Sequence, residues 1–183
     1  MKEAPAPVCL PRGWGLLPIA FGAIYAGHYV RLGRPANLLW ACELASLCVG
    51  IGLLVRSPAC HALGVLWLAM GFFFWIIYLA GGGEFLPAAL LTHVGGGAVG
   101  LIGVRALGMP RQMWWKALAL LVALQQICRW ITPEWENVNL AFSVHPGFER
   151  IFPSYGIYFC SLVALCAAGF FVAERGFRRW VKT

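Results

Sequence analysis

Apolar residues run along this chain in long unbroken blocks, without the alternating or one-sided patterns of a soluble domain. Six blocks stand out, at 14–31, 37–55, 60–80, 85–104, 113–131 and 155–173. Each is near the roughly 20 residues that a helix needs to cross a bilayer. The breaks carry turn chemistry: Arg34-Pro35, Ser57-Pro58, Gly81-Gly82-Gly83, Met109-Pro110 and a longer stretch at 132–154. Barrel strands would be about 9–11 residues with alternating polarity, so the blocks predict helices. The expected fold is all-α: a polytopic transmembrane bundle of six spans, with 1–183 as a single integral membrane domain and 132–154 as an outer loop.

Composition strengthens this picture. The chain is 61% hydrophobic and 11% charged, with a mean hydropathy of +0.75. Soluble domains carry about 25% charged residues. The net charge of +7 comes from 14 Lys and Arg against 7 Glu, with no Asp. The basic residues sit in short loops and at block ends, with no run interleaved with stacking aromatics, so a nucleic-acid partner is excluded. With the N-terminus inside, the inner side holds Lys2, Arg12, Arg56, Arg105, Arg111, Lys116, Arg175, Arg178, Arg179 and Lys182. The outer side holds only Arg31, Arg34, Arg129 and Arg150. That bias predicts both termini in the cytoplasm and a location in the inner membrane of the cell. The start, MKEAPAPVCLPRGWG, has Glu3 and several prolines but no compact basic region, so a retained tail is expected rather than a cleaved signal.

The seven cysteines include no C-x-x-C pair, and most lie within apolar blocks, where a thiol acts as a small hydrophobe. The tryptophans lie mostly near block ends, as an interfacial belt requires. THVGGGAVGLIG, with Gly96, Gly97, Gly100 and Gly103, reads as a close-packing helix face and not as a nucleotide loop.

Against this background Glu43 stands out. A charge at mid-bilayer costs roughly 2.5–3.5 kcal/mol, so an embedded ionisable residue is a functional candidate. In the expected topology Glu43 lies about 9 Å below the outer end of its helix and His93 about 12 Å below its own. Gln125, Gln126 and Arg129 occupy the last turns of the fifth block, and His28 lies near the outer end of the first. The expectation is an outward-facing polar pocket with Glu43 and His93 as catalytic residues. Arg129, Gln125, Gln126, Asn137 and Asn139 would bind substrate, under a lid made by 132–154. His93 would act as general base, Glu43 as its orienting group or as an acid, and Arg129 as the partner of an anionic head group. The bland alternative is that Glu43 pairs with Arg129 or His93 only to join helices, although such contacts average about 0.6 kcal/mol. His61 reads as a solvated inner-loop residue. His28, Glu43, His93 and His145 have the right donor types for a metal but no ligand motif, so no metal is assigned and any cofactor stays open.

Several stretches resemble a group of small bacterial multi-pass membrane proteins: WACE (40–43), GGGEFLP (81–87), LLTH (90–93), VRALGMPRQMWW (104–115), RWITPEWENVN (129–139) and FPSY (152–155). That resemblance implies topology and little chemistry. A looser one, to six-span lipid acyltransferases and hydrolases, implies that His93 is their embedded histidine, with Thr92, Ser46 and Cys42 competing as nucleophile. The leading functional expectation is therefore an enzyme acting on a lipid or isoprenoid-like substrate. The alternatives are a small proton-coupled transporter and a non-catalytic subunit or assembly factor. Membrane lipids are the expected partners, with a second copy or another membrane protein as further candidates.

Overall fold

A computed structural model describes residues 10–181. The expected tail, with Lys2 and Cys9, and the terminal Lys182 lie outside the described residues. Six helices follow the six apolar blocks: α1 (Leu16–Arg31), α2 (Ala41–Leu54), α3 (Pro58–Ala80), α4 (Pro87–Leu107), α5 (Met113–Ile131) and α6 (Tyr155–Trp180). No strand occurs among the described residues. Among the described residues three helices, α3, α4 and α6, are both long enough and apolar enough to cross a membrane. Short 3-10 turns precede α1 (Arg12–Gly15) and α2 (Pro35–Leu39), and two more lie in the 132–154 segment.

Local chemistry sets the helix ends. Ser57 accepts a hydrogen bond from the Cys60 N–H at 3.3 Å, and Pro58 supplies the first turn of α3. Ser154 does the same for α6 through the Ile157 N–H at 3.4 Å. Gly108 ends α4 with φ 80°, a conformation that favours glycine. The block expected at 155–173 continues as helix to Trp180, because Glu174, Arg175, Arg178 and Arg179 are good helix formers that extend beyond the apolar part.

α2 and α3 pack most intimately. A methyl group on Gly64 would lie 2.5 Å from the Ala45 carbonyl oxygen and 2.7 Å from the Val49 nitrogen, so the two backbones touch there. Small residues permit this approach where lipid supplies no hydrophobic drive between helices. The core around this crossing is Ala45, Val49, Leu66, Val104 and Phe170, all fully buried.

His61 departs from expectation. It is not solvated: it lies in the first turn of α3, wholly buried, with Nδ1 3.2 Å from the Val49 carbonyl and Nε2 2.9 Å from the Gly100 carbonyl. Starting α3 at Pro58 turns the ring into the bundle, and Gly52 and Gly103 leave the space that it fills. Gly97 also differs, because a side chain there would meet nothing within 4 Å and so it is not part of the packing face. The tryptophans are not all a belt. Trp67 is buried and donates from Nε1 to the Ala117 carbonyl at 2.9 Å.

Candidate functional site

α2 and α4 both start at the end of the bundle where α5 finishes and α6 begins. This places Glu43, in the first turn of α2, against Thr92 and His93 on α4. Glu43 is 4% exposed, Thr92 is fully buried and His93 is 7% exposed. One Glu43 oxygen faces the Thr92 hydroxyl at 3.4 Å and the other faces the Cys42 thiol at 3.9 Å. Thr92 also lies 3.4 Å from the Ala88 carbonyl of its own helix. No ion pair to Glu43 is formed among the described residues, so a link to Arg129 or His93 does not account for it.

His93 is fixed by different groups. Its Nδ1 is 2.9 Å from the Ala89 carbonyl, and its ring stacks on Trp75 with centroids 5.1 Å apart and planes 9° apart. A carbonyl can only accept, so Nδ1 carries the proton in the neutral ring. Nε2 is then the atom with the free lone pair. It makes no hydrogen bond within the protein, while every fully buried side-chain nitrogen and oxygen among the described residues has a partner. Nε2 therefore keeps contact with the surface. It faces Gly71, where a methyl group would lie 3.7 Å from Nε2 and 3.2 Å from the Cys42 Cβ. The missing side chain at Gly71 thus leaves a small gap that His93 and Cys42 share. The ring is oriented by Ala89 and Trp75, not by Glu43.

The backbone here is unusual. Leu91–Gly96 forms a π-helical stretch within α4. Such stretches are rare and are found often at functional sites. The sequence signal for it is faint: LTHVGG offers small residues but no breaker.

The three competing nucleophiles separate. Ser46 donates to the Pro18 carbonyl at 2.9 Å and ties α2 to α1. Thr92 is held between Glu43 and its own backbone. Cys42 has only its long contact to Glu43, and its Cβ borders the same gap at Gly71 as the His93 Nε2.

The expected binding residues fall into a second cluster around the 132–154 segment. Asn139 donates to the Leu39 carbonyl at 2.7 Å and accepts from the Ala41 N–H at 2.8 Å, so it caps α2 from about a hundred residues away (|i−j| 98). Asn137 accepts from the Phe142 and Ser143 N–H groups and shapes the segment itself. Gln125 donates to the Leu140 carbonyl and to the Tyr155 hydroxyl, both at 3.2 Å, and Gln126 donates to the Gln125 oxygen. Asn37, which sequence reasoning passed over, donates to Glu136 at 2.6 Å. These amides fasten the segment down over the start of α2. Arg129 is exposed, with its guanidinium 5.5 Å from the centre of the Tyr155 ring. The set His28, Glu43, His93 and His145 is not gathered, and no group of three or more His, Cys, Asp or Glu side chains placed to hold a metal occurs among the described residues.

A second buried carboxylate, Glu174, lies at the opposite end of the bundle and was not singled out in the sequence. Its two oxygens accept from the Gln112 N–H at 2.9 Å and the Trp114 N–H at 2.8 Å, which caps the start of α5 from α6. Comparison with known protein families, curated proteins and solved structures finds no match to this chain.

Proposed function

We propose that this chain is a six-span protein of the inner membrane with both termini in the cytoplasm, and an enzyme that transfers or hydrolyses the acyl group of a lipid ester. Element lengths support the six spans. The 14 residues of α2 span about 21 Å, and the five-residue 3-10 turn before it, joined through the extended Trp40, carries the apolar stretch further toward a core of about 30 Å. The 16 residues of α1 with the four-residue turn before it, and the 19 of α5, reach similar lengths. The likeness to small bacterial multi-pass proteins belongs to the same reading.

The observation that carries the enzymatic reading is the His93 ring, tied at Nδ1 and free at Nε2, which shares the gap at Gly71 with the Cys42 side chain. Nε2 takes the thiol proton and the sulfur attacks the ester carbonyl. The lipid alcohol leaves with the proton from the imidazolium, and the acyl chain stays as a thioester on Cys42. Water or an acceptor hydroxyl, deprotonated by Nε2, then releases it. Glu43 holds the thiol through its long contact and is itself held by Thr92, and the exposed Arg129 is the cation offered to a phosphate head group.

The test is to incubate purified protein with phospholipid and follow both released fatty acid and protein mass. Wild type is expected to carry an acyl adduct that hydroxylamine removes. Cys42→Ala and His93→Gln should lose both adduct and turnover while remaining folded. Unchanged lipid turnover in both variants sinks the proposal.

A further inference from the structure

At the basic end of the bundle an open groove of about 410 Å³ runs between α4 and α6, lined by Leu101, Val172, Ala173, Gly176, Phe177 and Trp180. Its lining is almost wholly apolar. Arg105 lies at the Trp180 end, with its guanidinium 4.6 Å from the centre of that ring. A second groove of about 350 Å³ borders the same last turn of α6 and is lined by Gly108, Met109, Pro110, Arg111, Arg178 and Val181. Glu174 lies 3.7 Å from Arg178 and offsets part of its charge, while Arg105 and Arg111 are exposed and without an acidic partner among the described residues.

We propose that this is a binding site for one anionic glycerophospholipid. An acyl chain lies in the apolar groove and the head-group phosphate sits at its arginine-bearing end, with Arg105 as the main contact and Arg111 and Arg178 nearby. Three features favour this occupant over a peptide or a second copy. The groove wall offers almost no hydrogen-bonding groups, which suits a hydrocarbon chain. The charge is concentrated at one end, as a lipid's polarity is. Cations near a membrane surface attract anionic lipid at about 1 kcal/mol each. The site is far from Cys42 and His93 in function and makes no use of the acyl-transfer reading.

Gly176 gives the decisive variant. A Cβ there meets nothing within 4 Å, so a side chain can start without a clash, and leucine at this lining position projects into the groove. The experiment is native mass spectrometry of delipidated protein titrated with phosphatidylglycerol and, separately, phosphatidylcholine of the same chain length. Wild type is expected to hold one phosphatidylglycerol at least about fivefold more tightly than phosphatidylcholine. Gly176→Leu should lose that adduct with every charge intact. Arg105→Gln should cut the preference about fivefold, and Arg175→Gln, which removes a charge off the groove, should leave it unchanged. Equal binding of the two lipids, an adduct that survives Gly176→Leu, or an equal loss in Arg175→Gln would each overturn the proposal.

Discussion

Glu174→Gln keeps the size of the side chain and removes its charge and one acceptor. In the wild type the two carboxylate oxygens each take one N–H from the start of α5, at 2.9 and 2.8 Å. An amide has one oxygen, so either the Gln112 or the Trp114 N–H would face an NH2 group instead. A hydrogen bond to a charged group contributes roughly 1.5–3 kcal/mol. A carboxylate at a helix N-terminus contributes up to ~2 kcal/mol when partly buried. The two effects overlap, so the expected loss is about 2–4 kcal/mol. Arg178 adds little, because it is 3.7 Å away with its side chain 27% exposed, and exposed pairs are worth about 0–1 kcal/mol. Thermal unfolding in detergent, followed by tryptophan fluorescence, measures the difference. For a chain of this size each kcal/mol moves the midpoint about 2–4 °C, so Glu174→Gln should fall by about 4–16 °C and Arg178→Gln by at most about 4 °C. A Glu174→Gln midpoint within about 2 °C of wild type, or an equal fall in Arg178→Gln, refutes the capping argument.

Two further predictions use the same assay or a local one. Gly64→Ala and Gly97→Ala are chemically identical changes with opposite expected signs: the first forces a methyl group to 2.5 Å from the Ala45 oxygen and should destabilise by about 1–3 kcal/mol. The second enters open space in a helix and should stabilise by up to about 1 kcal/mol, so matching signs would show that the α2–α3 contact is not what governs stability. Asn139→Ala removes the cap on α2 and the donor to Leu39, at a cost of about 1–2 kcal/mol. It should speed amide exchange at Ala41 and through 132–154 while leaving α6 unchanged; uniform or absent change would mean that the segment is held elsewhere.

The helices were legible in the sequence because block length and turn residues are local properties. The six apolar blocks and the breaks at Ser57-Pro58 and before Tyr155 follow from them directly, while the block expected from 85 starts as helix at Pro87. Glu43 and His93 stood out because lipid makes any ionisable residue conspicuous. What the sequence did not disclose is partnership. Reading His61 as solvated failed because its surroundings come from Gly52 on α2 and Gly103 on α4, neither close in sequence. Glu174 was not singled out, because its role comes from the N–H groups at the start of α5, some sixty residues away in sequence. Asn139 looked like a ligand-binding amide, and the structure has both ends of it on the backbone of 39–41. Hydrophobic pattern says which face is buried, not which distant carbonyl will meet a given side chain there.

The cap that Asn139 places on α2 has a consequence for how the protein is made. α2 is short and carries Glu43, and the residue that completes its first turn is 98 positions further along the chain. At about 5–20 residues per second, the ribosome needs roughly 5–20 s to deliver it. During that interval three more helices emerge while the start of α2 has open backbone groups and an embedded carboxyl. The start of α2 therefore stays uncapped until the 132–154 segment reaches it, and Tyr155, at the start of α6, then bonds the carbonyls of Leu140 and Ala141 in that segment. Truncated chains ending before it should hold α2 loosely, which makes the segment a checkpoint on how the bundle assembles.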